Sequence, residues 1–391
     1  MPSMFIGGAE RSLIGLLDSI DYSDNDVSLF LYRHEGEFVQ HIPKQVRVLP
    51  EVDQYRTFDV PIKSLLLSRR APFGVARILS KLALWIHKCV THEKHGVWMD
   101  MQYTSRFLQP ILPKIPGEYD LAIMFLGVAD TLLGKVDAKQ KVTWCHTDYD
   151  SLGQSKRFDL EVYKRVNHIV AVSETCADKI KITYPEIESK VIVIENVLPE
   201  RLIHLQSQSF TVDEEMPATG IRLLSIGRYC TAKNFDNIPD ICKRLLHKGL
   251  DVVWYIIGFG GDEELIRRKI EEAGMEERVI MLGKKNNPYP YIKECDLYVQ
   301  PSRYEGKCVT VREAQLLGKP VVITRYATSS SQLEDGIDGI IVSMDNEGCA
   351  EGIAGLLRDP VKMKSLVSEC KNRDYTNKKE IKVLSALIDT L

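Results

Sequence analysis

The sequence predicts an α/β protein of two doubly wound, Rossmann-like domains facing a cleft. Three observations carry this. Short, β-branched, largely unalternating apolar runs recur along the chain between helical spacers, as parallel strands buried on both faces require. The alternation breaks at 200–219, "ERLIHLQSQSFTVDEEMPAT", which lacks a clean period and ends in an acidic, proline-containing stretch. The 391 residues suffice for roughly two or three domains, each with a core. The organisation expected is a first domain over 1–200, a linker at 201–219 and a second domain over 220–365. A charged helical segment, 366–391, closes the second domain or packs back on the first.

In the first set, strands are expected in "DVSLFLY" (26–32), "VRVLP" (46–50), "YDLAIMFL" (119–126), "QKVTWCHT" (140–147), "HIVAVS" (168–173) and "KVIVIEN" (190–196). Ser173 stands at the N-cap of a helix over "ETCADKIKITYP", which ends at its proline. The second set is "IRLLSIG" (221–227), "DVVWYIIG" (251–258), "RVIMLG" (278–283), "CDLYVQ" (295–300), "PVVIT" (320–324) and "GIIVS" (339–343). The opening "MPSMFIGGAERSLIGLLDSI" has a short apolar piece, a glycine turn and a helix whose apolar face is Leu13, Leu16, Leu17 and Ile20. No full strand precedes that turn, so a sheet edge is missing or Met1 is not the original first residue.

A net charge of -3 argues against a nucleic-acid binder. The nine cysteines show no paired metal-ligand spacing, so no metal is expected, and most read as small buried hydrophobes. No secretory signal or spanning segment is recognisable, so the expected location is the cytoplasm. Residues 63–95 carry seven Lys or Arg against one Glu, with Val75, Ile78, Leu79, Leu82, Trp85, Ile86 and Cys89 on one helical face. Two readings stand: a core-packed helix with a wet basic side, or a helix resting on an anionic membrane.

Five loops could carry chemistry. In 301–320, "PSRYEGKCVTVREAQLLGKP", Thr310 and Glu313 fit a capping box for a helix over Val311–Leu317, ended by Gly318 and Pro320. Glu305 has no such duty and precedes Gly306, where the chain can turn tightly; the amides that follow lead into a positive helix end, a seat for phosphate. Carboxylates repel phosphate, so Glu305 and Glu313 suit hydroxyls. In "GRYCTAKNFD" (227–236), Arg228 and Lys233 follow Gly227 at a strand's carboxyl end, a fork and a point charge suited to a diphosphate. In "GFGGDEE", Gly258 is as well explained by a turn as by ligand contact; the dinucleotide fingerprint is absent. In "WCHTDYD", His146 lies just past a strand with Asp148 and Asp150 near. In "FIGGAER", Gly7 and Gly8 precede a helix and permit close backbone approach.

"GGAER", "GRYCTAKNFD" and "EGKCVTVRE", in that order, with Glu305 and Glu313 as a Glu–x7–Glu pair, resemble the retaining GT-B glycosyltransferases of the family 4 (group 1) type, as found in bacterial surface-polysaccharide synthesis. The resemblance covers almost the whole chain and implies a nucleotide-sugar donor, a UDP-sugar above all, with no cofactor. It implies a first domain on the acceptor side and a second holding the donor. Glu305, His146, Arg228 and Lys233 would act in catalysis, Arg228 and Lys233 gripping the diphosphate and His146 and Glu305 meeting the donor sugar. Gly7, Gly8, Gly227, Gly258, Gly306, Lys307, Cys308 and Val309 would line the donor, and Glu313 would bind its ribose. The acceptor implied is a glycan or polyprenyl-linked glycan in capsule or lipopolysaccharide assembly, at the inner face of the cell membrane. The sequence departs from the pattern twice. Lys307 stands where many relatives have a bulky apolar residue, and the first strand is lacking, which suggests a start assigned too late or a truncated chain. A nucleotide-sugar epimerase, a sugar phosphorylase and a non-catalytic nucleotide-sugar binder are the alternatives.

Overall fold

A computed structural model describes residues 1–5, 7–91, 96–146, 153–305 and 307–389. The chain divides into two compact units, Met1–Val197 with Asn377–Leu391, and Leu198–Thr376.

In the first unit, β1 (Ser28–Leu29) pairs in parallel with β2 (Arg47–Val48). A four-stranded parallel sheet follows: β3 (Glu118–Met124), β4 (Asp137–Cys145), β5 (His168–Ala171) and β6 (Val191–Val193). The ladder of β1 is shorter than "DVSLFLY" suggested, because the chain beyond it bonds the opening residues instead: the Tyr32 amide donates to Met1 O at 3.0 Å and Arg33 to Pro2 O at 3.0 Å. The helix Gly8–Ser19 buries Leu13, Leu16 and Leu17 as its spacing predicts, while Ile20 is its C-cap. Ser173 caps the helix Glu174–Thr183, its hydroxyl accepting from the Cys176 amide at 3.2 Å.

The helix Ala71–Thr91 corrects the core-packed reading. It buries Phe73, Gly74, Ser80 and Leu84, whereas Val75, Ile78, Leu79, Leu82, Trp85 and Ile86 are exposed. Periodicity finds an apolar face but does not say what covers it.

The second unit is a six-stranded parallel sheet of β7 (Ile221–Ile226), β8 (Val252–Ile257), β9 (Val279–Gly283), β10 (Leu297–Gln300), β11 (Val321–Thr324) and β12 (Ile340–Val342). Its spatial order is β12-β11-β10-β7-β8-β9, the doubly wound arrangement in which the winding reverses between the first strand and the fourth. Both sheet faces are covered: Leu223, Trp254, Ile256 and Val299 pack on one side, Leu224, Tyr255, Tyr298 and Ile323 on the other. This two-sided burial makes the strands continuous apolar runs.

Residues 201–219 are not a free linker. They open within the helix Glu200–Ser207, and Ile203, Val212 and Met216 join the core beside Tyr289 and Ile292. The C-terminal segment divides too: the helix Pro360–Asn372 lies in the second unit and Ile381–Asp389 in the first. There Asn377 Nδ2 donates to Asn196 O at 3.2 Å.

Candidate functional site

The reversal between β7 and β10 sets two loops side by side at the carboxyl ends of adjacent strands, where sheets of this order bind ligands. These are "GRYCTAKNFD" after β7 and "PSRYEGK" after β10. They are laced together. Arg303 donates both ends of its guanidinium to Asp236, at 2.9 and 2.7 Å, and its amide bonds Ala232 O at 2.8 Å. Asn234, buried at φ 61°, donates Nδ2 to Pro301 O at 2.8 Å. Part of the charge in the 301–320 loop is thus structural: Arg303 fixes its neighbour rather than a ligand.

Lys233 and Glu305 meet across this lacing, Nζ to Oε1 at 2.5 Å, with side chains only 17% and 12% exposed. The Ser302 hydroxyl donates to the same Oε1 at 2.6 Å, and Lys233 Nζ lies 3.8 Å from Cys308 Sγ. Burial works to lower the Lys233 pKa, but Cys308 and the Glu305 carboxylate more than offset it, so it lies above the ordinary value. Arg228 is exposed and has no ion-pair partner among the described residues. One cation of the predicted pair is therefore held and the other is available. Tyr326, just past β11, is buried with no hydrogen-bond partner for its hydroxyl among the described residues. Its pKa is raised by burial first and then by Cys308 and Glu305.

The helix after β10 starts at Val309, two residues earlier than the capping-box pattern implied. Its N-cap is Cys308, so Thr310 lies inside the first turn and its hydroxyl meets Tyr298 OH at 2.7 Å instead of capping. Glu313 is buried within the helix, and its Oε1 accepts from Tyr289 OH at 2.7 Å. The helix ends as predicted: Gly318 adopts φ +70°, and the amides of Gly318 and Lys319 reach back to Gln315 O and Ala314 O at 2.9 and 3.0 Å. The expected phosphate seat is narrower than the sequence suggested. Gln332 clamps the Cys308 backbone, accepting from its amide at 2.8 Å and donating to its carbonyl at 3.3 Å. The Cys308 amide is thereby occupied, and of the other three amides at the helix start without an intrahelical acceptor Val311 meets the Cys308 thiol, leaving those of Val309 and Thr310. Lys307 is exposed; Gly306 lies outside the described residues.

Gly227 gives passage to the Lys233 stem, whose carbons would lie 3.0–3.4 Å from a Cβ there. Gly258 is a packing glycine: a Cβ would come within 1.9 Å of Gly227 O. The Gly7–Gly8 turn carries its own anion, since a Cβ on Gly7 would lie 2.2 Å from Glu10 Oε2. The Glu10 pKa is raised by burial against its own backbone bond.

His146 lies in the first unit, so it is described apart from the β7–β10 loops; Asp148 and Asp150 lie outside the described residues. Its ring centroid is 4.5 Å from that of Phe125. Burial lowers its pKa to about 4, against bonds to the Phe125 backbone and the Asn196 side chain that raise it. Asn196 in turn accepts from Ser12 Oγ at 2.7 Å. His146 Nε2 is buried with no bonding partner among the described residues. The imidazole is neutral near pH 7. An unfolded histidine titrates near 6.5, so His146 contributes about 3 kcal/mol above that pH, lost as pH falls from 6.5 towards 4. Urea unfolding at about pH 7 and about pH 4.5 is expected to show a smaller acid-side loss in His146→Gln than in the parent; equal losses would refute the assignment.

Ser302, Tyr289, Tyr326 and Gln332 were not singled out from the sequence. Gln300, fully buried at the end of an apolar strand and donating to Ser302 Oγ at 3.0 Å, was the available signal. Gln332 and Tyr289 come from distant segments with no local pattern.

Residues 207–374 match the family described as Glycosyl transferases group 1. The chain is 29% identical over 153 residues to the N-acetylgalactosamine-N,N'-diacetylbacillosaminyl-diphospho-undecaprenol 4-alpha-N-acetylgalactosaminyltransferase of Campylobacter jejuni, covering 39% of this chain and 41% of that protein. It is 23% identical over 206 residues to the poly(ribitol-phosphate) alpha-N-acetylglucosaminyltransferase of Staphylococcus aureus, covering 51% and 39%. The chain thus spans about two fifths of the length of these curated relatives. Among solved structures it resembles Anabaena Alr3699/HepE in complex with UDP and glucose, with TM-score 0.61, 17% identity, and 100% and 98% of the two chains covered. It also resembles WaaG, a glycosyltransferase involved in lipopolysaccharide biosynthesis, with TM-score 0.52, 13% identity, and 98% and 97% covered. At these identities the likeness is one of fold, which is GT-B.

Proposed function

We propose, from the premise that residues 207–374 belong to the Glycosyl transferases group 1 family, that this chain moves a sugar from a nucleotide-sugar donor to a glycan or lipid-linked glycan acceptor in surface-polysaccharide assembly, with retention at the anomeric carbon. The observation that carries the reading is the pairing of two loops at the β7–β10 reversal, with Lys233 joined to Glu305 and Arg228 unpaired beside them.

A departing nucleoside diphosphate carries negative charge. Lys233 supplies positive charge from a largely buried position and Arg228 from an exposed one, and the Val309 and Thr310 amides add the positive end of a helix. Glu305 fits a sugar hydroxyl and Glu313, positioned by Tyr289, the ribose hydroxyls. His146, neutral near pH 7, suits a hydrogen bond to the donor sugar rather than an ion pair. The bond from the anomeric carbon to the β-phosphate oxygen breaks, the acceptor oxygen bonds that carbon on the same face, and its proton passes to the departing phosphate oxygen.

Titration calorimetry with UDP, GDP and ADP tests the reading. UDP is expected to bind in preference to the other two, with affinity falling at least tenfold in Arg228→Ala. No binding of any nucleotide, or binding indifferent to Arg228, would overturn it.

A further inference from the structure

Tyr326 carries an unused hydrogen-bond donor inside the second unit. It is only 2% exposed, and its hydroxyl has no partner among the described residues. The rest of the residue is committed. Its amide donates to Thr324 O and its carbonyl accepts from the Ser329 amide, both at 2.9 Å. Its ring lies in the buried cluster that holds Cys308, Val311 and Leu333. A buried hydroxyl that makes no bond keeps its desolvation cost without the compensating bond energy. A phenylalanine would fill the same space without that cost, so stability alone does not account for the hydroxyl.

Its surroundings point to a use. The segment after β11 is tied to the Glu305 loop at three points. Thr324 Oγ1 donates to Ser302 O, Thr328 Oγ1 donates to Glu305 O at 2.8 Å, and Gln332 brackets the Cys308 backbone. Burial raises the Tyr326 pKa first, and Cys308 and Glu305 close by raise it further, so the phenol meets a carboxylate as a donor. At Glu305 both donors, Lys233 Nζ and Ser302 Oγ, reach Oε1, and Oε2 accepts no bond among the described residues. Lys233 has two claims on it, this carboxylate and the diphosphate of the sugar-transfer reading. A diphosphate that draws Lys233 off leaves Glu305, only 12% exposed, with a single hydroxyl donor. A buried carboxylate in that position needs another.

We propose that Tyr326 is a positioning residue whose hydroxyl donates to Glu305 when a bound diphosphate takes Lys233, holding the carboxylate against a hydroxyl of the transferred sugar. The inference rests on the sugar-transfer reading and adds to it a residue that acts on the sugar through Glu305.

The test titrates the full chain by calorimetry with UDP and with UDP-glucose, UDP-galactose, UDP-N-acetylglucosamine and UDP-N-acetylgalactosamine, in the parent and in Tyr326→Phe. Thermal unfolding without nucleotide is followed alongside. Tyr326→Phe is expected to raise the thermal midpoint by about 2 °C, because it removes a buried hydroxyl without a partner. UDP affinity is expected to stay within about twofold, while the UDP-sugar that binds tightest loses about tenfold or more, the worth of one hydrogen bond to a charged group. In a Glu305→Gln background the Tyr326→Phe loss is expected to shrink, since the hydroxyl acts through that carboxylate. A purely structural tyrosine would move the midpoint and leave the UDP-sugars alone. UDP-sugar binding that depends on Arg228 but not on Tyr326 would overturn this proposal and leave the sugar-transfer reading standing. So would a Tyr326→Phe loss that persists in full in Glu305→Gln, or a parent that binds all four UDP-sugars no differently from UDP. Absence of UDP binding, or UDP binding indifferent to Arg228, would overturn the sugar-transfer reading and this proposal with it.

Discussion

Lys233→Ala is expected to lower sugar transfer by roughly two to three orders of magnitude and to weaken UDP binding at least tenfold. Two physical effects act together. Lys233 is the cation enclosed between the β7 and β10 loops, and in the proposed transfer a departing diphosphate would lose a positive partner where little water can replace it. The substitution also strands Glu305, whose side chain is only 12% exposed, and removing one member of such a buried pair costs about 3 kcal/mol or more. The raised Lys233 pKa means its contribution is present below the unfolded value near 10 and lost only as pH rises above it, so the defect is expected to be flat across neutral pH. Lys233→Arg is a stringent companion. It keeps the charge, but a broader guanidinium must pass Gly227, where the lysine carbons already lie 3.0–3.4 Å from a Cβ position, so rescue should be slight. Steady-state kinetics with urea unfolding separates the two effects. Turnover unchanged in a folded Lys233→Ala would remove Lys233 from the chemistry.

The second unit was legible in the sequence because its physics is local and repetitive. Six apolar runs covered on both faces leave the same signature whatever their order, and Gly318 marks a helix end by a conformation that side chains rarely adopt. The charged candidates at the strand ends were legible for the same reason, since the turns there are glycine-marked. What failed had competing partners. Thr310 and Glu313 have the spacing of a capping box, yet Tyr298 and Tyr289 take their side chains, and neither tyrosine is near them in sequence. The Cys308 amide looked open until Gln332, 24 residues on, was found on it. The helix Ala71–Thr91 shows the complementary failure: its dominant apolar face is the outer one, and a narrower set that includes Gly74 and Ser80 packs inward. Small residues where elements close together leave little hydrophobic signal.

Gly258→Ala is expected to destabilise the protein by about 3 kcal/mol and to abolish nucleotide binding. Its Cβ would stand 1.9 Å from Gly227 O and 2.8 Å from Tyr229 Cε1. The first of these is backbone and has no rotamer to escape into. Relief requires β7 and β8 to part where the Gly227 amide bonds Ile257 O at 3.0 Å, while on the other side the Gly258 amide is held by Gly283 O of β9 at 3.0 Å. Arg228 and Lys233 leave β7 at that point, so strain there moves the loop that carries them. Gly8→Ala is the control for the glycines as a class. Nothing lies within 4 Å of its Cβ, and it opens a helix, so stability should hold or rise by about 0.5–1 kcal/mol. A ligand against that backbone would reveal itself as lost activity in a fully stable Gly8→Ala. Gly7→Ala meets only the tip of Glu10, which can swing aside. Thermal unfolding and UDP calorimetry on the three variants sort packing glycines from ligand-facing ones. An unchanged midpoint with intact UDP binding in Gly258→Ala would mean that β7 and β8 tolerate a separation their hydrogen bonds argue against.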